Sequence, residues 1–301
     1  MNTQREQLIQ TWLQATLQTD QFEINFLAGD ASFRRYARVK LQNKTYMLMD
    51  APPEKEDCVP FVEIDEFFDK NGVRVPHIVA KDLSLGLLLL EDFGDVVLST
   101  LLNDDTVDQY YAQSFKQLID LQQIDAYQQL PAYSYEKLMT EMRLLTEWML
   151  PSLEIQPTEQ QLETIEQAFD FLAIEAINQP QVIVHRDYHS RNLMKIENEQ
   201  VLGVIDFQDA VIGADTYDLI SITRDAYVQW NAARVYGWFE VFYNLLPATA
   251  KENRSFEQFK RDADFMAIQR HLKILGIFVR LFERDGKSGY LKDLPRVMWY
   301  L

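Results

Sequence analysis

A chain of 301 residues with 47% hydrophobic side chains can bury a sizeable core, as one large domain or two smaller ones. Its formal net charge of -17 repels phosphate backbones, which argues against nucleic acid as a partner and requires any nucleotide phosphates to be met by local cations, a metal or backbone amides. One cysteine, Cys58, allows no disulfide framework and no thiolate zinc site, and with no basic-then-apolar leader and no apolar run of bilayer length the expected setting is the cytoplasm, away from membranes.

In chain order, residues 7–17 carry Leu8, Ile9, Trp12 and Leu13 at helical spacing and are predicted as an amphipathic helix. Residues 22–27 alternate as a strand, Gly29-Asp30-Ala31-Ser32 is a turn, residues 36–41 resume the strand, and residues 45–49 pair back across a reversal at Asn43-Lys44. Residues 60–70 space Phe61, Ile64, Phe67 and Phe68 as a helix that Asn71-Gly72 stops. Residues 73–80 and 85–90 read as strands, the second emptying into the acidic turn Glu91-Asp92-Phe93-Gly94. Helices dominate beyond Leu98. One follows Asp105 to about Gln123, one is capped by Ser134 and stopped at Leu150 by Pro151, and one opens on the capping-box pattern Thr158-Glu159-Gln160-Gln161 and reaches about Asn178. Further helices are predicted over 217–230, 232–246 and from Ser255 to about Arg284. Tyr236, Phe239 and Tyr243 at helical spacing are core candidates rather than a ligand box.

Between these helical stretches lies the part of the chain that carries chemistry. Residues 181–184 form a short apolar strand, and His185-Arg186-Asp187-Tyr188-His189-Ser190-Arg191-Asn192 is a polar loop. Residues 193–196 and 201–205 are strands joined by Glu197-Asn198-Glu199-Gln200. Closing that hairpin brings Asn192, just before it, to Asp206, just after it, because cross-strand neighbours sit about 5 Å apart. An amide oxygen plus a carboxylate is a hard, oxygen-only pair suited to Mg²⁺ bridging nucleotide phosphates. Asp187, on the loop feeding the pair, is placed to accept a proton. A zinc site from His185 and His189 is disfavoured, since both lie on a loop and no glutamate stands in the HExxH order.

The order His-Arg-Asp-x-x-x-x-Asn, then a hairpin, then Asp206-Phe207, resembles the catalytic set of protein-kinase-like phosphotransferases. Ile205-Asp206-Phe207-Gln208-Asp209-Ala210 followed by Tyr217-Asp218-Leu219 narrows the resemblance to the aminoglycoside phosphotransferase and choline kinase branch, which phosphorylates small molecules. The resemblance implies an α+β, bilobal protein-kinase-like fold. A small N-terminal antiparallel sheet lobe would bind nucleotide over residues 1–93, and a larger, mainly helical C-terminal lobe would carry catalysis and substrate over residues 94–301. It implies ATP and Mg²⁺ as cofactors, Asp187 as base, and Asn192 and Asp206 as metal ligands. Nucleotide contacts would come from Gly29, Ala31 and Ser32 in the covering loop, and from the backbone near Glu91 and Phe93 at the adenine edge. Asp218 would bond back to the catalytic loop. The short span from Phe207 to Asp218 leaves little room for an activation segment, so the enzyme should be on without phosphorylation, and Arg186 has no phosphate partner to wait for.

One departure from the kinase pattern is the third strand, Thr45-Tyr46-Met47-Leu48-Met49-Asp50, which holds no lysine for the α- and β-phosphates. Arg34, Arg35 or Lys44 would have to substitute. Longer words, among them Gly29-Asp30-Ala31-Ser32-Phe33-Arg34-Arg35-Tyr36 and Met47-Leu48-Met49-Asp50-Ala51-Pro52-Pro53-Glu54, resemble the anomeric amino-sugar kinases of bacterial cell-wall recycling, the missing lysine included. That resemblance implies a small-molecule amino sugar, N-acetylmuramate or N-acetylglucosamine, phosphorylated at its anomeric hydroxyl. Asp209 would face the sugar hydroxyls, and Arg191 and Arg224 are candidates for the lactyl carboxylate. Residue chemistry by itself stops at a small-molecule kinase using Mg-ATP. An aminoglycoside or choline acceptor, or a nucleotide-binding scaffold without transfer, stays open on that basis, as does the oligomeric state.

Overall fold

The computed structural model describes residues 3–27, 34–126 and 129–301, and the chain divides into two compact units, Met1–Asp95 and Val96–Leu301. The first unit is built on an antiparallel sheet in the order β1-β2-β3-β5-β4, from β1 (Glu23–Phe26), β2 (Arg35–Leu41), β3 (Lys44–Asp50), β4 (Ile78–Asp82) and β5 (Leu87–Glu91). Period-2 alternation puts Ala37 and Val39 of β2, Leu48 of β3, and Leu87 and Leu89 of β5 on one face. Helix α1 (Thr3–Leu17) covers that face with Ile9 and Leu13, one turn apart, each aliphatic chain worth about 1.5–3 kcal/mol of burial. Arg5 fastens α1 at its other end, donating to Asp50 Oδ1 from Nε (2.9 Å) and Nη2 (2.7 Å) and to the Leu85 carbonyl (2.7 Å). Helix α2 (Val59–Lys70) follows β3 and buries Phe61, Val62, Asp65 and Phe68.

Strand β4 begins at Ile78 rather than Val73. Val75 N–H turns back to the Val73 carbonyl (2.9 Å) and Pro76 has no N–H to give, so that stretch cannot join the ladder. The acidic turn after β5 is clamped inside this unit. Arg38 reaches both Asp92 (2.6 Å) and Asp95 (2.8 Å), while Arg74 pairs with Glu91 (2.6 Å) and lies 4.6 Å over the Phe93 ring.

The second unit is mainly helical. Its helices are α3 (Val107–Gln122), α4 (Tyr135–Leu144), α5 (Leu150–Ser152), α6 (Glu159–Asn178), α7 (Tyr217–Thr223), α8 (Ala232–Leu245), α9 (Ala248–Lys251), α10 (Phe256–Asp285) and α11 (Leu294–Trp299). The capping box at Thr158 forms in both directions, Gln161 N–H to the Thr158 hydroxyl and Thr158 N–H to the Gln161 side chain. Ser134, Asn231 and Ser255 cap α4, α8 and α10 in the same way from one side. Aromatic rings of α3, α8 and α10 form the core: Phe242 meets Phe115 at 5.7 Å and Phe259 at 6.1 Å, and Tyr236 packs on Phe239 at 5.6 Å.

Pro151 does not stop the helix at Leu150. A π-turn over Leu145–Met149 joins α4 to α5, and the wider turn accommodates the proline, so the helix runs on to Ser152. Helix α7 ends at Thr223 instead of running to Trp230, because Asp225 leaves the helix to accept bonds from Ser190 and from Tyr227 N–H (2.8 Å). The strands β6 (Gln181–Val184), β7 (Leu193–Lys195) and β8 (Leu202–Val204) lie where the alternation put them, the last two shorter at their outer ends. An additional strand, β9 (Val211–Ala214), pairs with β6 and so closes the segment from 185 to 210, which holds the polar loop and the β7–β8 hairpin. Among the described residues, no helix is long and apolar enough to cross a membrane.

Candidate active site

The loop from His185 to Asn192 leaves β6 and is held by side chains that arrive from later in the chain. Asp218, at the start of α7 and fully buried, accepts the N–H groups of His185 (2.6 Å) and Arg186 (3.0 Å) with its two oxygens. Burial pushes the Asp218 carboxyl up to about 7, against the pull of those two N–H groups and Arg270. Arg186 is held at φ +74°, a left-handed conformation that costs a non-glycine residue about 1–2 kcal/mol, immediately before Asp187. Asp225 takes the Ser190 N–H (2.9 Å) and hydroxyl (2.5 Å), and the Tyr188 hydroxyl donates to the Ser114 carbonyl (3.0 Å). The Asp187 carbonyl accepts His189 N–H (2.9 Å) and Asn192 Nδ2 (3.1 Å).

Asp187 is half-buried, and burial alone would raise its carboxyl. The charges of Lys273, His189, Arg270 and Arg186 outweigh that and hold it at about 2, ionised across the neutral range. His185 is fully buried and pushed down to about 4 by burial, so its imidazole is neutral, and its Nδ1 accepts the Asp187 N–H at 3.2 Å. A neutral ring that braces the loop is a structural histidine.

The hairpin of β7 and β8 closes as expected, Leu193 opposite Val204, with Ile205 N–H on the Asn192 carbonyl (3.1 Å). Asn192 Nδ2 then lies 3.1 Å from Asp206 Oδ2. With Nδ2 committed to the Asp187 carbonyl and Asp206, the Asn192 Oδ1 is left as an acceptor. Asp206, at φ +67°, receives Gln208 Nε2 on its other oxygen (2.9 Å). Burial of its carboxyl, and then the neighbouring charge of Asp187, push Asp206 up, and among the described residues no cationic side chain pairs with it. An amide oxygen beside an under-neutralised carboxylate fits a hard divalent cation. Among the described residues no three His, Cys, Asp or Glu side chains gather as a metal cluster, so phosphate oxygens and water would have to complete such a coordination shell.

Asp209 is exposed near this loop, its carboxylate 3.9 Å from Arg186. Arg191 is exposed, its guanidinium 3.6 Å over the Tyr227 ring, and among the described residues no carboxylate lies in ion-pair reach of it. Arg224 is different. It pairs with Asp264 at 2.5 Å and lies over the rings of Tyr236 and Phe239, so its charge is already spent inside the unit. In the first unit, Arg34 pairs with Glu56 (2.8 Å) and Arg35 Nε donates to Asp50 (2.9 Å). The Glu91 N–H is used by the His77 carbonyl (2.9 Å), which removes it as a donor to an adenine edge, and Phe93 is buried. Gly29, Ala31 and Ser32 lie outside the described residues.

Sequence reasoning missed the layer beneath the loop. Glu141 of α4, and Arg270 and Lys273 of α10, are buried charges. Lys273 Nζ lies 3.3 Å from Glu141 and donates to the Tyr217 hydroxyl (3.1 Å), and Arg270 lies 5.5 Å over the Tyr217 ring. The available signal was an α10 helix with Gln269, Arg270, His271 and Lys273 in one turn, too polar a stretch for a helix face that is buried.

Comparison with known proteins gives the family and the fold. The profile of the phosphotransferase enzyme family (APH) matches residues 23–252. An N-acetylmuramate/N-acetylglucosamine kinase of Pseudomonas putida is 41% identical over 276 residues, 91% of this chain and 81% of that protein. One of Neisseria meningitidis is 34% identical over 305 residues, 99% and 90% respectively. Among solved structures, a Plasmodium vivax ethanolamine kinase is similar with a TM-score of 0.69 at 14% identity, over 93% of this chain and 82% of that one. An ADP-bound aminoglycoside phosphotransferase, APH(2'')-Ib, is similar with a TM-score of 0.62 at 15% identity, over 100% and 98%. The expected α+β, kinase-like fold is the one observed.

Proposed function

The chain belongs to the phosphotransferase enzyme family, and from that premise we propose that it transfers the γ-phosphoryl group of ATP to the anomeric hydroxyl of N-acetylmuramate and N-acetylglucosamine, giving the sugar 1-phosphate. The reading rests above all on the relatives of 34–41% identity that cover nearly the whole chain and carry that substrate pair in their names. Local geometry supports the chemistry. Asp187 accepts the proton of the attacking hydroxyl, and an anomeric hydroxyl is acidic enough for a carboxylate of low basicity. Asn192 and Asp206 would hold Mg²⁺, which would supply neutralisation of charge on the phosphates. His185, Asp218 and Asp225 fix the loop so that Asp187 does not wander from the reacting oxygen.

For the nucleotide we assign the Gly29, Ala31 and Ser32 amides and the Ser32 hydroxyl to the phosphates, Arg34 or Arg35 to part of the missing lysine's role, and the backbone beside Glu91 and Phe93 to the base. For the acceptor we assign Asp209 to sugar hydroxyls and Arg191 to the lactyl carboxylate of N-acetylmuramate. Arg224 acts, in this reading, through Asp264 and the fold rather than on substrate. We place the reaction in the cytoplasm, where ATP is available. The test is a coupled assay of ADP release with N-acetylglucosamine, N-acetylmuramate, the methyl 1-glycoside of N-acetylglucosamine, kanamycin and choline. The two free sugars should turn over and lose reducing-end reactivity. Turnover of the blocked glycoside, at any hydroxyl, would show the anomeric assignment to be wrong.

A further inference from the structure

We propose that Glu141 is a positioning residue for the catalytic loop, a fixed internal anion that does for Arg186 what a phosphate on a mobile segment does in switchable kinases. Arg186 precedes Asp187 and sits at φ +74°, so its backbone needs anchoring from both ends. Asp218 anchors the N–H at 3.0 Å. Glu141 anchors the side chain: its Oε1 accepts Arg186 Nη2 in a short contact, and both groups are buried. The guanidinium also lies 5.2 Å over the Tyr133 ring.

The other Glu141 oxygen is held as firmly. It accepts the Tyr133 hydroxyl and lies 3.3 Å from Lys273 Nζ, which in turn donates to the hydroxyl of Tyr217, the residue before Asp218. The two clamps on Arg186 therefore close on each other through Lys273 and Tyr217. Burial opposes the Glu141 charge, and Lys273 and Arg186 overcome it and keep the carboxyl below its usual range. The charge count matters as much as the geometry. One carboxylate stands between two buried cations, Arg186 and Lys273. Removing it leaves two like charges in one enclosed space, with the carboxylates of Asp187 and Asp209 as the nearest relief. An Arg186 that swings toward either would displace the loop that presents Asp187. Switchable kinases satisfy such an arginine only when phosphorylated. Here α4 supplies the anion permanently, which accounts physically for a short Phe207-to-Asp218 span without a regulatory segment.

The proposal rests on Asp187 being the base, and the two fail separately. Asp187→Asn at wild-type turnover removes the base assignment, whereas an inactive Asp187→Asn beside a fully active Glu141→Gln removes this proposal alone. The experiment is a double-mutant cycle in kcat, with KM for ATP and sugar measured alongside. Glu141→Gln should lower kcat by roughly 10- to 10²-fold, the scale of a misplacement of about 1 Å, with both KM values within about threefold. Arg186→Met should lower it by a similar factor, and the double variant should be little worse than either. Losses that multiply would mean that Glu141 acts independently of Arg186, as a plain core residue would, and would overturn the proposal. If Glu141→Gln does not fold, Arg186→Met decides alone: wild-type kcat there means the pair positions nothing.

Discussion

Gly276 allows the sharpest test of how the layer beneath the loop is seated. A Cβ at this position would lie 2.3 Å from the Leu144 carbonyl carbon, 2.5 Å from its Cβ and 2.6 Å from its carbonyl oxygen. None of these atoms is the movable tip of a side chain, so Gly276→Ala forces α10 away from the end of α4 by about 1 Å. Overpacking of this kind costs about 1–3 kcal/mol, and with three rigid contacts the upper end applies. The gain in helix propensity from Gly to Ala returns about 1 kcal/mol. The net loss of about 2 kcal/mol corresponds to a fall in Tm of about 4–8 °C for a unit of this size. Lys273 lies one turn before Gly276 and 3.3 Å from Glu141 of α4, so kcat should fall as well. Gly237 of α8 is the control, since a Cβ there meets nothing within 4 Å. Gly237→Ala should raise Tm, by up to about 1 kcal/mol of stability. Circular dichroism melts of the two variants give the comparison. A Gly276→Ala protein melting with the wild type, or a Gly237→Ala protein falling as far, would refute the steric reasoning.

Other outcomes follow from the same structure. Asp187→Asn should lower kcat by about 10²-fold or more with little change in KM, the low end of what a positioned base supplies, because a carboxylate held near 2 is a weak base; turnover near wild type would remove the assignment. Asp206→Ala should weaken Mg²⁺-dependent activity more than Asn192→Ala, since Asp206 contributes the charge, and full activity in EDTA would remove the metal site. Alanine at Arg34 and at Arg35 should affect the KM for ATP unequally, because neighbouring positions at a strand's start face opposite ways, and two null results would end the idea of a substitute cation. Arg191→Ala should weaken N-acetylmuramate selectively, while Arg224→Ala should affect both sugars together with Tm; equal losses on both sugars from Arg191→Ala would remove the carboxylate contact. Asp65, 2% exposed with Oδ2 unpartnered, is pushed up to about 7 by burial and by Asp69 and Glu66. A carboxyl raised on folding contributes stability that is whole below about pH 4 and lost as pH rises through about 7. Asp65→Asn should therefore flatten urea-unfolding stability between pH 4 and pH 8, by at most about 4 kcal/mol, and an unchanged pH dependence would sink the idea.

The parts of this fold that could be read from the residues are those specified within a few positions of each other. The Thr158–Gln161 capping box, the hairpin that brings Asn192 to Asp206, and the period-2 face of β2 and β3 are local patterns, and each formed. Strand β9 was missed because Val211-Ile212-Gly213-Ala214 is a bare apolar run, equally compatible with buried coil until β6 is known to lie beside it. Residues 217–230 kept a helical period past Thr223, but a long-range bond from Asp225 to Ser190 outweighed it. The Glu141–Arg186–Lys273 group was invisible for a stronger reason. Its members come from α4, the loop after β6 and α10, far apart in sequence, and α10 packs against the end of α4 where Gly276 lies on Leu144.

That group also answers a question the overall charge raises. With a net charge of -17, a chain that uses Asp187 as its base, as proposed, would have to keep that carboxylate ionised and hold an anionic phosphoryl donor near it. Diffuse surface cations would be screened within about 8–10 Å and would compete with many acidic neighbours. Cations buried on one helix face are screened far less, so two of them, Arg270 and Lys273, influence Asp187 more than their number suggests. Burying them is costly unless each is paired, and the pairing must not neutralise Asp187 itself. Glu141, from α4, satisfies Lys273 and Arg186, and Arg270 rests against the Tyr217 ring. A pairing anion offered from another element would not hold Arg186 in the same way, so a Glu141→Gln, Asp209→Glu double variant, with its carboxylate supplied from the exposed loop beyond Asp206, should not recover the turnover of wild type. Full recovery would mean that only the amount of negative charge near Arg186 matters, and not the side from which it acts.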